Sequence, residues 1–151
     1  MGRKSWQIEN LDVMQEYCQA SGIILKNRIT QLKMDINKYF YSESAEALHR
    51  IRISLRRLRY SMELFISCYD NEKFMIFYKR ITKLQDLSGK ARDFDVMSDN
   101  LSVLMKEDKV RISIQALNKV LDLRNELKVK LKSALSKFIR SKAVRSFEEL
   151  L

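Results

Sequence analysis

The chain has 151 residues and a mass of 17.9 kDa, long enough for one domain with a genuine core and too short for two. With no proline and three glycines it has little material for tight hairpins, and no apolar run nears the ~20 residues that cross a bilayer, so sheet-rich folds and membrane-spanning roles are disfavoured. Twenty-nine Lys and Arg against 19 Asp and Glu give a formal net charge of +10, which favours a polyanionic partner such as nucleic acid, inorganic polyphosphate or an anionic surface.

In chain order, Leu11, Met14, Cys18, Leu25, Ile29, Leu32, Ile36 and Tyr39 recur three and four residues apart, and the spacing predicts one long helix over 9–40. Gly22 lies inside it at a cost of about 1 kcal/mol relative to alanine, so a close helix crossing is expected there. Ser44 is placed to cap a second helix that runs to about residue 68. Turn residues at 69–71 precede a third helix with Phe74, Phe77, Ile81, Leu84 and Leu87 on its apolar stripe, and Ser88 with Gly89 is expected to end it. A short helix over 93–104 with Asp93 near its start, a long helix over about 109–139 and a terminal helix over 141–151 complete the chain. The basic outer face of the long helix, including Arg124 and Lys128, is assigned no specific role. The expected fold is all-α, an antiparallel four-helix bundle with long helices and a short C-terminal helix, forming one domain over 1–151.

Cys18 and Cys68 are far apart, with no C-x-x-C motif and no histidine beyond His49. This pattern favours two buried thiols in a reducing cytosol over a zinc site or a disulfide scaffold. The N-terminal MGRKSW lacks an apolar signal core, so a cytoplasmic location is expected. Phosphate-cradling glycine loops and the common hydrolytic motifs are absent from the sequence. Asp93 and Asp95 offer a weak magnesium pattern, but helix capping and pairing with Arg92 or another arginine account for them more simply. Neither catalysis nor a cofactor is expected.

The stretch 48–65 is the most informative. Leu48, Ile51, Leu55, Leu58, Met62, Phe65 and Ile66 gather on one helix face, and His49, Arg52, Arg56 and Arg59 line the flank beside it. Glu63 is in register to pair with Arg59, whereas Arg52 and Arg56 find no acid three or four positions away. An unpaired arginine row suits an external anion, because the guanidinium grips phosphate oxygens bidentately and keeps its charge. If helices two and three pack as antiparallel neighbours, Lys79, Arg80, Lys83, Lys90 and Arg92 supply a second wall, with Lys83 and Arg92 favoured. Arg57 joins the candidate set, although it projects away from the row. For His49, direct phosphate contact and a neutral orienting role are equally open.

The runs His49-Arg50-Ile51-Arg52, Arg56-Arg57-Leu58-Arg59-Tyr60 and Glu63-Leu64-Phe65, followed by 87–96 (LSGKARDFDV), resemble the CHAD domain, an α-helical family named for its histidine. The likeness continues in helix order to Arg124 and the 138–151 tail. It implies a four-helix bundle whose basic surface binds inorganic polyphosphate; association with polyphosphate granules, a subunit role beside a phosphate enzyme and sensing of phosphate status are equally open roles for such a module. Two features depart from the usual pattern: the family joins two bundles in tandem where this chain has length for one, and the second helix blends the two half-motifs. A homodimer that rebuilds the tandem is the corresponding expectation. A helical nucleic-acid-binding protein is the alternative, weakened because Phe74, Phe77, Phe138 and Phe147 read as core rather than as stacking platforms. A metal-dependent enzyme acting on phosphorylated substrates ranks last.

Overall fold

Three short polar side chains decide where helices begin. Ser44 Oγ accepts from the Ala47 amide at 3.1 Å, Asn71 Oδ1 from Lys73 at 2.7 Å and Ser113 Oγ from Ala116 at 3.2 Å, each satisfying a first-turn N–H that has no partner within its helix. The computed structural model describes residues 16–107 and 111–151. These form α1 (Tyr17–Tyr41), α2 (Ala45–Leu64), a 3-10 turn (Ile66–Cys68), α3 (Glu72–Lys106), α4 (Ile114–Arg140) and α5 (Lys142–Leu150), with no strand among the described residues.

The periodic apolar positions meet in one core: Leu25, Ile29, Leu32 and Ile36 of α1, Leu48, Ile51, Leu55 and Leu58 of α2, and Phe74, Phe77, Ile81 and Leu84 of α3. Burying each such side chain contributes roughly 1.5–3 kcal/mol. Leu131, Leu135 and Phe138 of α4 close part of the fourth side, and α5 closes the rest after the chain bends at Ser141. Phe147 of α5 stacks on Phe77 with ring centroids 4.0 Å apart, and Glu148 pairs with Lys33 of α1. A Cβ on Gly22 would stand 3.1 Å from the Leu151 carbonyl oxygen, so the glycine does mark a close approach, made by the end of α5.

Three expectations are corrected. Glu16 is extended, with φ −62° and ψ 145°, so α1 starts at Tyr17 instead of continuing from residue 9; Leu11 and Met14 lie outside the described residues. Ser88 and Gly89 do not end α3, which runs unbroken to Lys106. Its buried positions are Phe74, Phe77, Ile81, Leu84, Ser88, Ala91, Asp95 and Ser98, alternating steps of three and four throughout, but the last four are small or polar and leave no hydrophobic trace. Ser88 stays within the helix by donating its hydroxyl to the Gln85 carbonyl at 2.8 Å. Finally, Cys18 and Cys68 form a disulfide with Cα atoms 5.5 Å apart, joining the first turn of α1 to the 3-10 turn after α2. Antiparallel packing of α1 on α2 brings the two together, and free thiols therefore no longer argue for a reducing compartment. Among the described residues no helix is long and apolar enough to cross a membrane.

Candidate anion-binding groove

α2 and α3 run antiparallel. At one end of their contact the Tyr78 hydroxyl donates to Glu63 Oε1 at 2.7 Å. Toward the other end the helices part into a groove of about 430 Å³, lined by His49, Arg52, Ile53 and Arg56 on α2 and by Gln85, Asp86, Gly89, Lys90 and Asp93 on α3. The spacing places them there: 49, 52, 53 and 56 fall on one side of α2, and 85, 86, 89, 90 and 93 on one side of α3.

Four of the residues expected from sequence therefore meet in the groove, His49, Arg52, Arg56 and Lys90. The others do not line it. Arg59 Nε donates to Glu63 Oε1 at 2.8 Å, the oxygen that also accepts from Tyr78. These two bonds, Tyr78 first and Arg59 second, hold the Glu63 carboxyl below the usual carboxylate range and commit Arg59 internally. Arg57 faces α1, where burial and then the Arg57 charge lower the pKa of the Arg28 guanidinium. Lys79 and Lys83 continue the Lys90 stripe of α3 but lie beyond the groove's end. Arg80 sits about 100° around the helix from Lys79, and Arg92 is on the side opposite Lys90, so neither helps form this wall. The preference for Lys83 and Arg92 is thus replaced by Lys90.

Three features of the groove bear on what it holds. Among the described residues, Arg52, Arg56 and Lys90 make no ion pair, although exposed pairs such as Arg50–Glu46 at 2.6 Å and Lys130–Glu126 at 2.5 Å form elsewhere. A Cβ built on Gly89 meets nothing within 4 Å, so no neighbour requires glycine here and the missing side chain leaves the floor open. The Gln85 carboxamide oxygen is buried without a hydrogen-bond partner. Gln85, Asp86, Gly89 and Asp93 are the site residues that sequence reasoning missed. Their signal was the helical spacing across 85–93, hidden by the expected break at Ser88 and Gly89.

Asp93 and Asp95 project on opposite sides of α3. Asp93 lines the groove, whereas Asp95 is buried and accepts from Arg124 Nε at 2.7 Å with Lys128 Nζ 3.3 Å away. The two carboxylates do not share a metal site, and Arg124 and Lys128 acquire the role that their basic outer face did not suggest.

Fold and groove together define an all-α bundle domain with a cation-bearing cleft between adjacent antiparallel helices. A family model described as CHAD domain matches residues 18–102, and the chain belongs to that family. The match spans α1, α2 and most of α3, and so includes both walls of the groove; α4 and α5 lie beyond it. No curated protein and no solved structure matches the chain.

Proposed function

We propose that the α2–α3 groove binds inorganic polyphosphate and performs no chemistry on it. The observation that carries this reading is the pair Arg52 and Arg56, one helical turn apart, facing an open groove over Gly89 without an acidic partner among the described residues. Guanidinium groups at that spacing meet phosphates along a flexible linear polyanion, and Lys90 reaches toward it from the other wall. The net charge of +10 draws such a chain in from a distance, and counterion release makes its binding salt-dependent. Membership of the CHAD family supports the same ligand. Phe74, Phe77, Phe138 and Phe147 are all buried, so none of these four rings is offered to single-stranded nucleic acid as a stacking platform.

The test is competition at matched charge and salt among long-chain polyphosphate, duplex DNA and RNA, with released phosphate monitored in the presence of divalent metal. Preferential retention of polyphosphate without turnover is expected. Equal affinity for all three would reduce the site to generic polyanion binding, and turnover would make the protein an enzyme.

Pairing of two copies is a further proposal. No residue of α3 beyond Ser98, and none of α4 before Leu131, is fully buried among the described residues, although Leu127 packs partly against the core, so this end of the hairpin is the least covered part of the bundle. Residues 92–130 hold eight Lys and Arg against seven Asp and Glu, so two such arms approach with little of the repulsion that the rest of the chain would impose. Light scattering on the intact chain should give twice 17.9 kDa, and a strict monomer at micromolar concentration rejects the pairing.

A further inference from the structure

The groove is not uniformly basic. Arg52 and Arg56 stand on the α2 wall, while Asp86 and Asp93 flank Lys90 on the α3 wall. Neither carboxylate makes an ion pair among the described residues. The same wall carries Gln85, with its unpartnered carboxamide oxygen. A bare polyphosphate gripped by the arginines would therefore meet one cation, Lys90, and two anions on the facing wall, so its oxygens on either side of Lys90 turn toward carboxylates, which like-charge repulsion opposes.

We propose that the groove takes polyphosphate as its complex with hydrated magnesium: phosphate oxygens accept from Arg52 and Arg56, and water molecules on the metal donate to Asp86 and Asp93. This rests on the polyphosphate reading and adds the form in which that ligand is recognised. The cation comes with the ligand, because the protein offers it no site of its own. Among the described residues no three His, Cys, Asp or Glu side chains converge on a point, and Asp86 and Asp93 are seven residues, about 10 Å, apart along α3. Magnesium suits the role because it releases water reluctantly and binds phosphate through only part of its shell, leaving ordered waters to bridge outward. The open floor at Gly89 provides room for that hydration between the two carboxylates.

The proposal has a sign opposite to simple charge attraction. On a purely basic surface, magnesium weakens polyphosphate binding by neutralising the polyanion. Here it should strengthen it. Binding of fluorescently labelled long-chain polyphosphate to the intact chain is measured by anisotropy at constant ionic strength, in EDTA and in millimolar magnesium. Magnesium is expected to tighten wild-type binding about tenfold. The Asp86→Asn, Asp93→Asn double variant should bind more tightly than wild type in EDTA and lose the magnesium gain. Both side chains are exposed, so the variant retains the fold, and Asp99→Asn, an exposed change outside the groove, should keep the gain. Weakening by magnesium in equal ratio for wild type and double variant overturns the cation bridge and leaves the polyphosphate reading standing. No binding of wild type in either buffer overturns both.

Discussion

Arg124 of α4 donates from Nε to Oδ1 of Asp95 on α3 at 2.7 Å, and the carboxylate it reaches is only 2% exposed. This bond bolts α4 to α3 at the level of the groove but on the other side of α3, so the helix that forms one groove wall is braced from behind. Arg124→Ala leaves Asp95 buried with Lys128 alone and should cost about 1–3 kcal/mol of stability, discounted for the part-exposed arginine. Urea denaturation measures this, and a midpoint equal to wild type would show that the pair does not brace the hairpin.

Arg52 and Arg56 are expected to carry binding where Arg59 does not. Arg52→Ala with Arg56→Ala should weaken polyphosphate binding by about tenfold to a hundredfold and flatten its salt dependence. Arg59→Ala, which removes a cation already committed to Glu63, should change affinity less than about threefold. Titrations at two salt concentrations separate them; a larger loss from Arg59 would place the ligand nearer Tyr78.

Gly89 separates binding from folding. Alanine there meets no neighbour and should stabilise the helix by about 0.5–1 kcal/mol. Leucine should fold equally well and obstruct the groove, abolishing polyphosphate binding. Thermal melts and binding measured on the same samples check both outcomes, and full binding by Gly89→Leu would show that the ligand lies elsewhere.

The Cys18–Cys68 disulfide closes a loop with a sequence separation of 50, for which loop-closure entropy gives about 4 kcal/mol of stability in the oxidised protein. Reductant, or Cys18→Ser with Cys68→Ser, should lower the melting temperature markedly. Polyphosphate affinity at room temperature should not change, because the disulfide lies at the opposite end of α2 from His49 and Arg52. Melts and binding with and without reductant check this.

Glu63 makes part of the stability acid-sensitive. Its folded pKa is lowered by the Tyr78 and Arg59 hydrogen bonds, so its contribution is fully present above the ordinary carboxylate value of 4.5 and is lost as pH falls through the lowered folded value. The side chain is 37% exposed, which limits the contribution to under about 1 kcal/mol. The stability gap between wild type and Glu63→Gln should be widest at neutral pH and close on acidification, as urea midpoints measured from pH 7 to pH 3 would reveal.

Local sequence alone determined the all-α class, the core faces of α1, α2 and the first half of α3, the Ser44 cap and the absence of a same-helix acid for Arg52 and Arg56. These are local properties: helix faces and same-helix ion pairs depend on residues three and four apart. The tertiary structure decided the rest. The continuity of α3 rests on Ser88, Ala91, Asp95 and Ser98, whose burial comes from neighbouring helices and leaves no apolar signature. The Cys18–Cys68 bond and the Arg124–Asp95 pair join residues 50 and 29 positions apart, and antiparallel packing alone brings them into reach. The opposite wall of the groove depends on the register of α3 against α2, which sets Lys90, Asp86 and Asp93 across from the arginines in place of Lys83 and Arg92.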